Sequence, residues 1–250
     1  MPPLTAIFEE PGAPASSIDP ATLHSSSAPR THRYWWLPPY AMWKHLIDRV
    51  LAAIILVCVT PLILLLATLI KLADGGPSFY SQIRLGRHGR PYRIYKLRTM
   101  TLNCEDESGP IWSCRNDARV TRLGRLLRLT HLDELPQLHN IIRGEMSLIG
   151  PRPERPELIQ RLEPAIWDYR KRLDVRPGLT GLAQVRLEAD TSIEHVRRKV
   201  RYDLYYIRRM SLALDLRILA ATVVYLILVS FTALRDVCSA TRFPASDESQ

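Results

Sequence analysis

The sequence is poor in the patterns that build metal centres or disulfide scaffolds. Its four cysteines, Cys58, Cys104, Cys114 and Cys238, are scattered and form no Cys-x-x-Cys pair. That spacing argues against a zinc site and a disulfide framework, and it fits a reducing compartment. The seven histidines show neither His-x-x-x-His nor His-Glu-x-x-His spacing, so transition-metal chemistry is not expected. No charged segment runs directly into an apolar core at the N-terminus, so no cleaved signal peptide is expected. Internal repeats are missing too. Negative charge is the minority: 25 acidic residues face 34 lysines and arginines, for a net charge of +9. A chain this basic calls for an acidic partner, whether nucleic acid, anionic lipid or a phosphorylated substrate. Its 250 residues allow one sizeable domain with appendages.

The longest absence is of charge. From Val50 to Ile70 no residue is charged. As a helix this run would be about 32 Å long, enough to cross a bilayer core. Pro61 lies at its midpoint, where it removes a backbone donor and bends or breaks a helix. Lys44 and Arg49 precede the run, and Lys71 and a dense basic series follow it. A spanning segment normally keeps its positive excess on one side. A helix broken at Thr60-Pro61 that dips in and returns would leave both basic ends in the cytoplasm. Re-entry over residues 41–73 is therefore the expected course, ahead of a span and, last, a buried soluble helix. Ahead of it, residues 1–40 are rich in Pro, Ala and Ser and read as a disordered tail. The aromatics Tyr34, Trp35, Trp36, Tyr40 and Trp43 suit an interfacial belt.

Beyond Asp74-Gly75-Gly76-Pro77, short extended patterns over 78–100 predict a small β-hairpin, and 101–117 a loop. Arginines at 119, 122, 125 and 128 interleave with leucines, which predicts a basic amphipathic helix over 119–130. Such a helix lies on an anionic membrane surface, or shows a solvated face on a core helix. A helix is expected to start near Asp133, since Pro136 is comfortable only in a first turn. Further helical stretches are expected at 154–172 and from Ile193 past Ile207. The last apolar run, Ile218 to Leu234, has 17 uncharged residues. It sits at the lower limit for a membrane helix.

The candidate chemistry centres on Asp133-Glu134, two adjacent carboxylates inside Leu132-Asp133-Glu134-Leu135-Pro136-Gln137-Leu138. The plain reading is a helix cap and a dipole-matched first turn. The neighbours point further. Arg128 lies five residues earlier, and Arg84, Arg87, Arg90, Arg93, Lys96 and Arg98 form a basic series upstream. Phosphoryl groups need such cations, because charge neutralisation and positioning supply most of the catalysis in their transfer.

Six ordered segments carry a resemblance to a known family. They are Gln82-x-Arg84-x-Gly86-x-x-Gly89, Lys96-Leu97-Arg98-Thr99-Met100 and Asn116-Asp117-x-Arg119-x-Thr121-x-x-Gly124, then the acidic segment itself. Gly144-Glu145-Met146-Ser147-Leu148-Ile149-Gly150-Pro151-Arg152-Pro153 and Arg176-Pro177-Gly178-Leu179-Thr180-Gly181 complete the set. From about Lys44 to Thr222 the chain resembles the bacterial sugar transferases, monotopic phosphoglycosyl transferases that load a sugar phosphate onto polyprenyl phosphate. His131 stands where Ser is commoner in that pattern, and Glu145 where Asp is frequent.

The resemblance implies a mainly α, monotopic membrane protein with a re-entrant helix-break-helix hairpin, interfacial amphipathic helices and a small β-hairpin. Residues 74–212 would form the catalytic domain, 213–235 a C-terminal apolar membrane-associated helix, and 236–250 a tail. The larger members' multi-span N-terminal region would be missing, giving the short, core-only form. Asp133 would be the nucleophile that attacks a UDP-sugar, forming a phosphosugar-aspartyl intermediate and releasing UMP. Polyprenyl (undecaprenyl) phosphate would then displace it, in the priming step of exopolysaccharide or surface glycan synthesis. Glu134 would assist, and magnesium held by Asp133 and Glu134 would offset the diphosphate charge. Arg128 and Arg152 would hold phosphate, with Lys96 and Arg98 as further contacts. The expected setting is the cytoplasmic face of a bacterial inner membrane, with no nucleic acid bound and the oligomeric state open. The rival reading is a non-enzymatic, membrane-anchored basic module that binds anionic lipid or nucleic acid.

Overall fold

A computed structural model describes residues 40–102, 104, 117–187 and 193–240. The expected N-terminal tail with its aromatics 34–36, most of the 101–117 loop and the last ten residues lie outside this range.

The chain enters on one long helix, α1 (Tyr40–Asp74). Its central apolar run is largely uncovered: Val50, Ile54, Val57, Leu64 and Leu65 are exposed, while Ala52, Ile63, Leu66 and Ile70 are buried. Only 22% of its most apolar window is covered by the rest of the chain. A soluble protein would have to leave that apolar surface in water, at a cost of roughly 25 cal/mol per Å². The buried-soluble-helix reading therefore fails. α1 is long and apolar enough to cross a membrane by length and composition.

The expected break at Thr60-Pro61 does not interrupt α1, whose helical assignment runs through Pro61. Pro61 has no N–H to give the Val57 carbonyl, and the Thr60 hydroxyl donates back to the Leu56 carbonyl at 2.6 Å. Both features loosen or bend a helix without ending it when regular turns flank them on each side.

After a turn through Gly75 and Gly76, β1 (Phe79–Leu85) and β2 (Pro91–Leu97) form the expected hairpin, antiparallel from Phe79 opposite Leu97 to Leu85 opposite Pro91. Strand period puts Tyr92, Ile94 and Lys96 on one face of β2. Tyr92 and Ile94 are buried there. The basic helix α2 is shorter than expected, Arg122–Leu129, with the Thr121 side chain capping the Gly124 N–H at 2.9 Å. A 3₁₀ turn, Leu132–Gln137, leads into α3 (Leu138–Arg143), which packs on α1.

The second sheet was not visible in the sequence. β3 (Ser147–Ile149) pairs in parallel with β4 (Gly178–Thr180), joining two motifs about 30 residues apart. Between them the single helix expected over 154–172 divides into α4 (Pro156–Leu162) and a 3₁₀ turn, Tyr169–Asp174. Pro164 cannot continue a helix, and Asp168 adopts the left-handed conformation at φ 64°.

α5 (Leu182–Arg186), α6 (Ile193–Arg209) and α7 (Leu212–Ala240) complete the chain. α6 buries Val196, Val200 and Ile207, the face its periodicity predicts. Val223, Val224, Tyr225, Ile227 and Leu228 of α7 are exposed, so this helix also presents apolar surface outward.

Charged groups lock the root of α1 to α7. Lys44 bonds Asp215 at 2.6 Å and lies 3.3 Å from Asp48, and the Tyr40 and Tyr206 hydroxyls both donate to Asp215. Ser147 of β3 donates to Asp48. Removing one partner of such a buried set strands the others, at a cost of roughly 3–5 kcal/mol.

Candidate active site

The acidic pair sits on the 3₁₀ turn Leu132–Gln137, and the turn's own pattern explains its orientation. Leu132 and Leu135 pack on the cluster of Ile63, Leu66, Ile70, Leu97 and Leu127, which belongs to the second half of α1 and its neighbours. The carboxylates between those leucines face the cations instead. The residue before the turn, His131, is left-handed at φ 55° and offers no side-chain cap. So Asp133 is not a cap residue; it lies within the first turn, and both acidic side chains are buried.

The two carboxylates live differently. Glu134 accepts from Lys96 at 2.6 Å and from Arg152 at 2.9 Å, both on Oε1. Burial alone would raise its carboxyl, but the Arg152 and Lys96 charges override that and hold it well below the usual carboxylate range. Asp133 takes no hydrogen bond on its carboxylate from the described residues. Burial pushes it up to about 6, with the neighbouring Glu134 charge adding and Lys96, Arg128 and Arg152 opposing. One carboxylate is a fixed anion. The other is nearly unencumbered and more basic than usual, while still mostly ionised at neutral pH.

Each cation arrives on a different element. Lys96 comes from the inner face of β2, which packs on the acidic turn. Arg152 comes from the loop after β3. Arg128 lies on the last turn of α2, its Nε donating to the Thr99 hydroxyl at 2.9 Å. Gly124 allows this approach, because a Cβ there would stand 2.0 Å from the Thr99 carbonyl oxygen.

Arg98, expected among the phosphate contacts, is placed elsewhere. It is buried at the C-terminal end of α1, donating to the Gly75 carbonyl at 2.5 Å and lying 3.9 Å from Asp74. A cation there complements the helix C-terminus. Arg84 likewise turns from the acidic pair to donate to the Pro153 carbonyl at 3.2 Å and the Gln82 side chain at 2.7 Å. Sequence reasoning also missed the buried set of Glu154, Arg172, Lys199 and Asp203. An isolated Asp203 among the arginines of α6 was its only sequence signal.

The donor set around the pair is thin for a metal. Among the described residues no group of three or more His, Cys, Asp or Glu side chains converges. Asp133 and the second oxygen of Glu134 remain as oxygen donors, which fits a hard cation that keeps most of its positions on water or a bound phosphate.

Fold and site together define a mostly helical protein with a long, largely uncovered apolar helix and, seated against it, one clamped carboxylate and one that takes no hydrogen bond from the described residues. Comparison with known proteins gives that class a family. A family model described as bacterial sugar transferase matches residues 39–228. The chain belongs to the bacterial sugar transferase family.

It is 44% identical over 183 residues to a UDP-glucose:undecaprenyl-phosphate glucose-1-phosphate transferase of Caulobacter vibrioides, covering 72% of this chain and 68% of the relative. A Klebsiella pneumoniae protein of the same name is 40% identical over 185 residues, covering 73% of this chain and 39% of the relative. The UDP-N-acetylgalactosamine-undecaprenyl-phosphate N-acetylgalactosaminephosphotransferase of Aeromonas hydrophila is 41% identical over 186 residues, covering 74% and 44%. Against the last two, the match spans less than half of the relative's length.

Proposed function

We propose that the chain transfers a sugar 1-phosphate from a UDP-sugar to polyprenyl phosphate, with Asp133 as the covalent nucleophile. The observation that carries this reading is the split between the carboxylates: Asp133 is buried, unbonded and pushed up to about 6, beside a Glu134 clamped by two cations. An Asp133 oxygen attacks the phosphorus that bears the sugar. The bond from that phosphorus to the bridging oxygen breaks, and UMP leaves with the electron pair. A phosphate oxygen of the lipid then attacks the same phosphorus, the bond to Asp133 breaks, and the carboxylate is regenerated. One phosphoanhydride replaces another, so no further energy source is needed. Splitting the transfer spares two bulky anions from occupying the site together.

Glu134 holds Lys96 and Arg152 in place, and these with Arg128 hold the diphosphate. Magnesium belongs to the proposal, with Asp133 and Glu134 as its protein donors; when bound, it would offset the diphosphate's charge. The uncovered apolar run of α1 supports a monotopic course, bent at Pro61 so that both ends stay on the cytoplasmic face of the inner membrane. The packing of the acidic turn on the second half of α1 supports a nucleophile at the depth where a soluble sugar nucleotide would meet a lipid phosphate. The relatives' names divide between glucose and N-acetylgalactosamine, so the donor is proposed as the class UDP-sugar. Their reactions on undecaprenyl phosphate support a priming role in surface glycan synthesis.

The test uses the purified full chain with a panel of labelled UDP-sugars. Incubation without lipid acceptor should release UMP in an amount matching the enzyme and leave labelled sugar phosphate on the protein. Asp133→Asn should abolish both signals. UMP release that survives in Asp133→Asn removes the nucleophile assignment. No UMP from any UDP-sugar, with salt-sensitive binding to anionic lipid, favours the non-enzymatic module instead. Topology is tested separately: cysteine labelling that finds residues near Tyr40 outside would establish a span.

A further inference from the structure

Four consecutive carbonyls of the loop that carries Arg152 are each held by a protein donor, and the donors come from three parts of the fold: β1, β4 and the 3₁₀ turn Tyr169–Asp174. Pro151 O accepts from the Gly178 N–H at 2.8 Å, and Arg152 O from Arg172 Nη2 at 3.2 Å. Pro153 O accepts from Arg84 Nη1 at 3.2 Å, and Glu154 O from the Leu85 N–H at 3.1 Å. Pro151 and Pro153 are buried and Arg152 and Glu154 half-buried, so four protein donors in a row replace the water that an exposed loop would use. Prolines on both sides of Arg152 fix φ there as well.

The two side-chain donors are themselves anchored. Arg172 is buried and bonds Asp203 at 2.7 Å through Nε, its Nη1 donating to the Tyr169 hydroxyl at 3.0 Å. Lys199 bonds Glu154 at 2.7 Å, tying the end of the same loop to α6. Arg84 is held at its other arm by Gln82. None of these groups bonds Asp133 or Glu134. Arg84 and Arg172 converge on the backbone that carries Arg152, the guanidinium that bonds Glu134.

We infer that Arg84 and Arg172 are positioning residues, which fix the Arg152 loop so that its guanidinium stands ready for the substrate diphosphate. The inference rests on the proposed role of Arg152 in holding that diphosphate. Their charge is spent inside the fold, and what they supply to the site is geometry. A guanidinium offers a planar fork that can hold an acidic or amide partner with one edge and a carbonyl with the other. An ammonium in the same place keeps the charge and loses the second arm. Orientation fixed in advance is worth most where a reacting group must be met at one angle.

The experiment measures kcat, KM for the UDP-sugar and thermal unfolding of the full chain in detergent. The variants are Arg84→Met, Arg172→Lys and Arg152→Ala, together with Arg84→Met and Arg172→Lys each combined with Arg152→Ala. Arg172→Lys keeps a cation beside Asp203, and Arg84→Met keeps bulk without a donor; either alone suffices if the other fails to fold. Each positioning variant should raise KM roughly two- to tenfold. Each should change kcat less than KM, because the groups they hold meet the substrate and not the reacting carboxylate. Added to Arg152→Ala, neither should change KM further, because the group they position is gone. A KM effect that persists undiminished in the Arg152→Ala background, or an unchanged KM in the singles, overturns the positioning role. If Arg152→Ala itself leaves KM unchanged, the failure lies in the phosphate-holding role of Arg152, and the inference falls with it.

Discussion

Replacing Lys96 with methionine separates the two carboxylates by their dependence on charge. In the folded chain Lys96 donates to Glu134 at 2.6 Å, with its side chain 19% exposed. It is the largest influence pulling the Asp133 carboxyl down, against a burial effect that pushes it up to about 6. Without it Glu134 stays ionised, because Arg152 still bonds it at 2.9 Å. Asp133 then feels the same negative neighbour with one cation fewer, so its pKa must rise. A neighbouring opposite charge shifts a carboxylate by roughly 1–3 units, and the lower end applies with Arg128 and Arg152 remaining. A shift from about 6 to about 7 cuts the ionised fraction at pH 7 from about nine-tenths to about one half. At pH 6 it falls from about one half to about one-tenth. The assay is UMP release against pH: the acid limb should move up by roughly one unit, with the plateau above pH 8 lowered only by weaker phosphate binding. An acid limb that stays in place or moves down would refute the assignment of that limb to Asp133. Losing one of two donors to buried Glu134 should also cost about 1.5–3 kcal/mol of stability, measurable as a lower melting temperature.

Asp133→Asn should abolish sugar-phosphate transfer and yet stabilise the fold at neutral pH. A carboxyl raised in the folded state contributes stability below its unfolded pKa and loses it as pH rises through about 6. The neutral amide avoids up to about 3 kcal/mol of that loss, so the melting temperature of the variant should exceed wild type at pH 8 and match it near pH 3.5. Glu134 runs the other way. Its depressed carboxyl contributes stability above the unfolded value that is lost as pH falls, so Glu134→Gln should melt lower than wild type at pH 7. Gly124→Ala should destabilise by about 1–3 kcal/mol or more, since its Cβ would meet the Thr99 backbone at 2.0 Å. It should also reduce transfer by displacing Arg128, whereas Leu123→Ala on the same helix should leave transfer closer to wild type.

Features set by local pattern were legible in the sequence. The uncharged run of α1, the hairpin β1–β2, the buried face of α6 and the prominence of Asp133-Glu134 all follow from periodicity, turn chemistry or charge spacing. What the sequence hid was set by pairings across long separations. Lys96 and Arg98 are two residues apart on a basic segment and read alike. Yet the inner face of β2 delivers Lys96 to Glu134 while Arg98 closes the end of α1. β3 and β4 are three residues each, too short for a period, and they exist only because each pairs with the other. Asp203 stands among arginines along α6, and only the fold brings it to Arg172, 31 residues earlier in the chain.

The site therefore distributes one chemical task over elements with different physical origins. An apolar helix has the length and composition to cross a membrane, and leucines of the acidic turn pack against its second half. A strand, a helix end and a proline-bounded loop each deliver one cation. Glu134 spends its charge holding two of them, while Asp133 takes no hydrogen bond on its carboxylate among the described residues. Had both carboxylates been clamped, each would be too weak a base to attack phosphorus. Had neither been, burial would push both toward the neutral form and disperse the cations. On the proposed reading, the unequal treatment of two adjacent acids suits one of them to nucleophilic attack and the other to holding the cations.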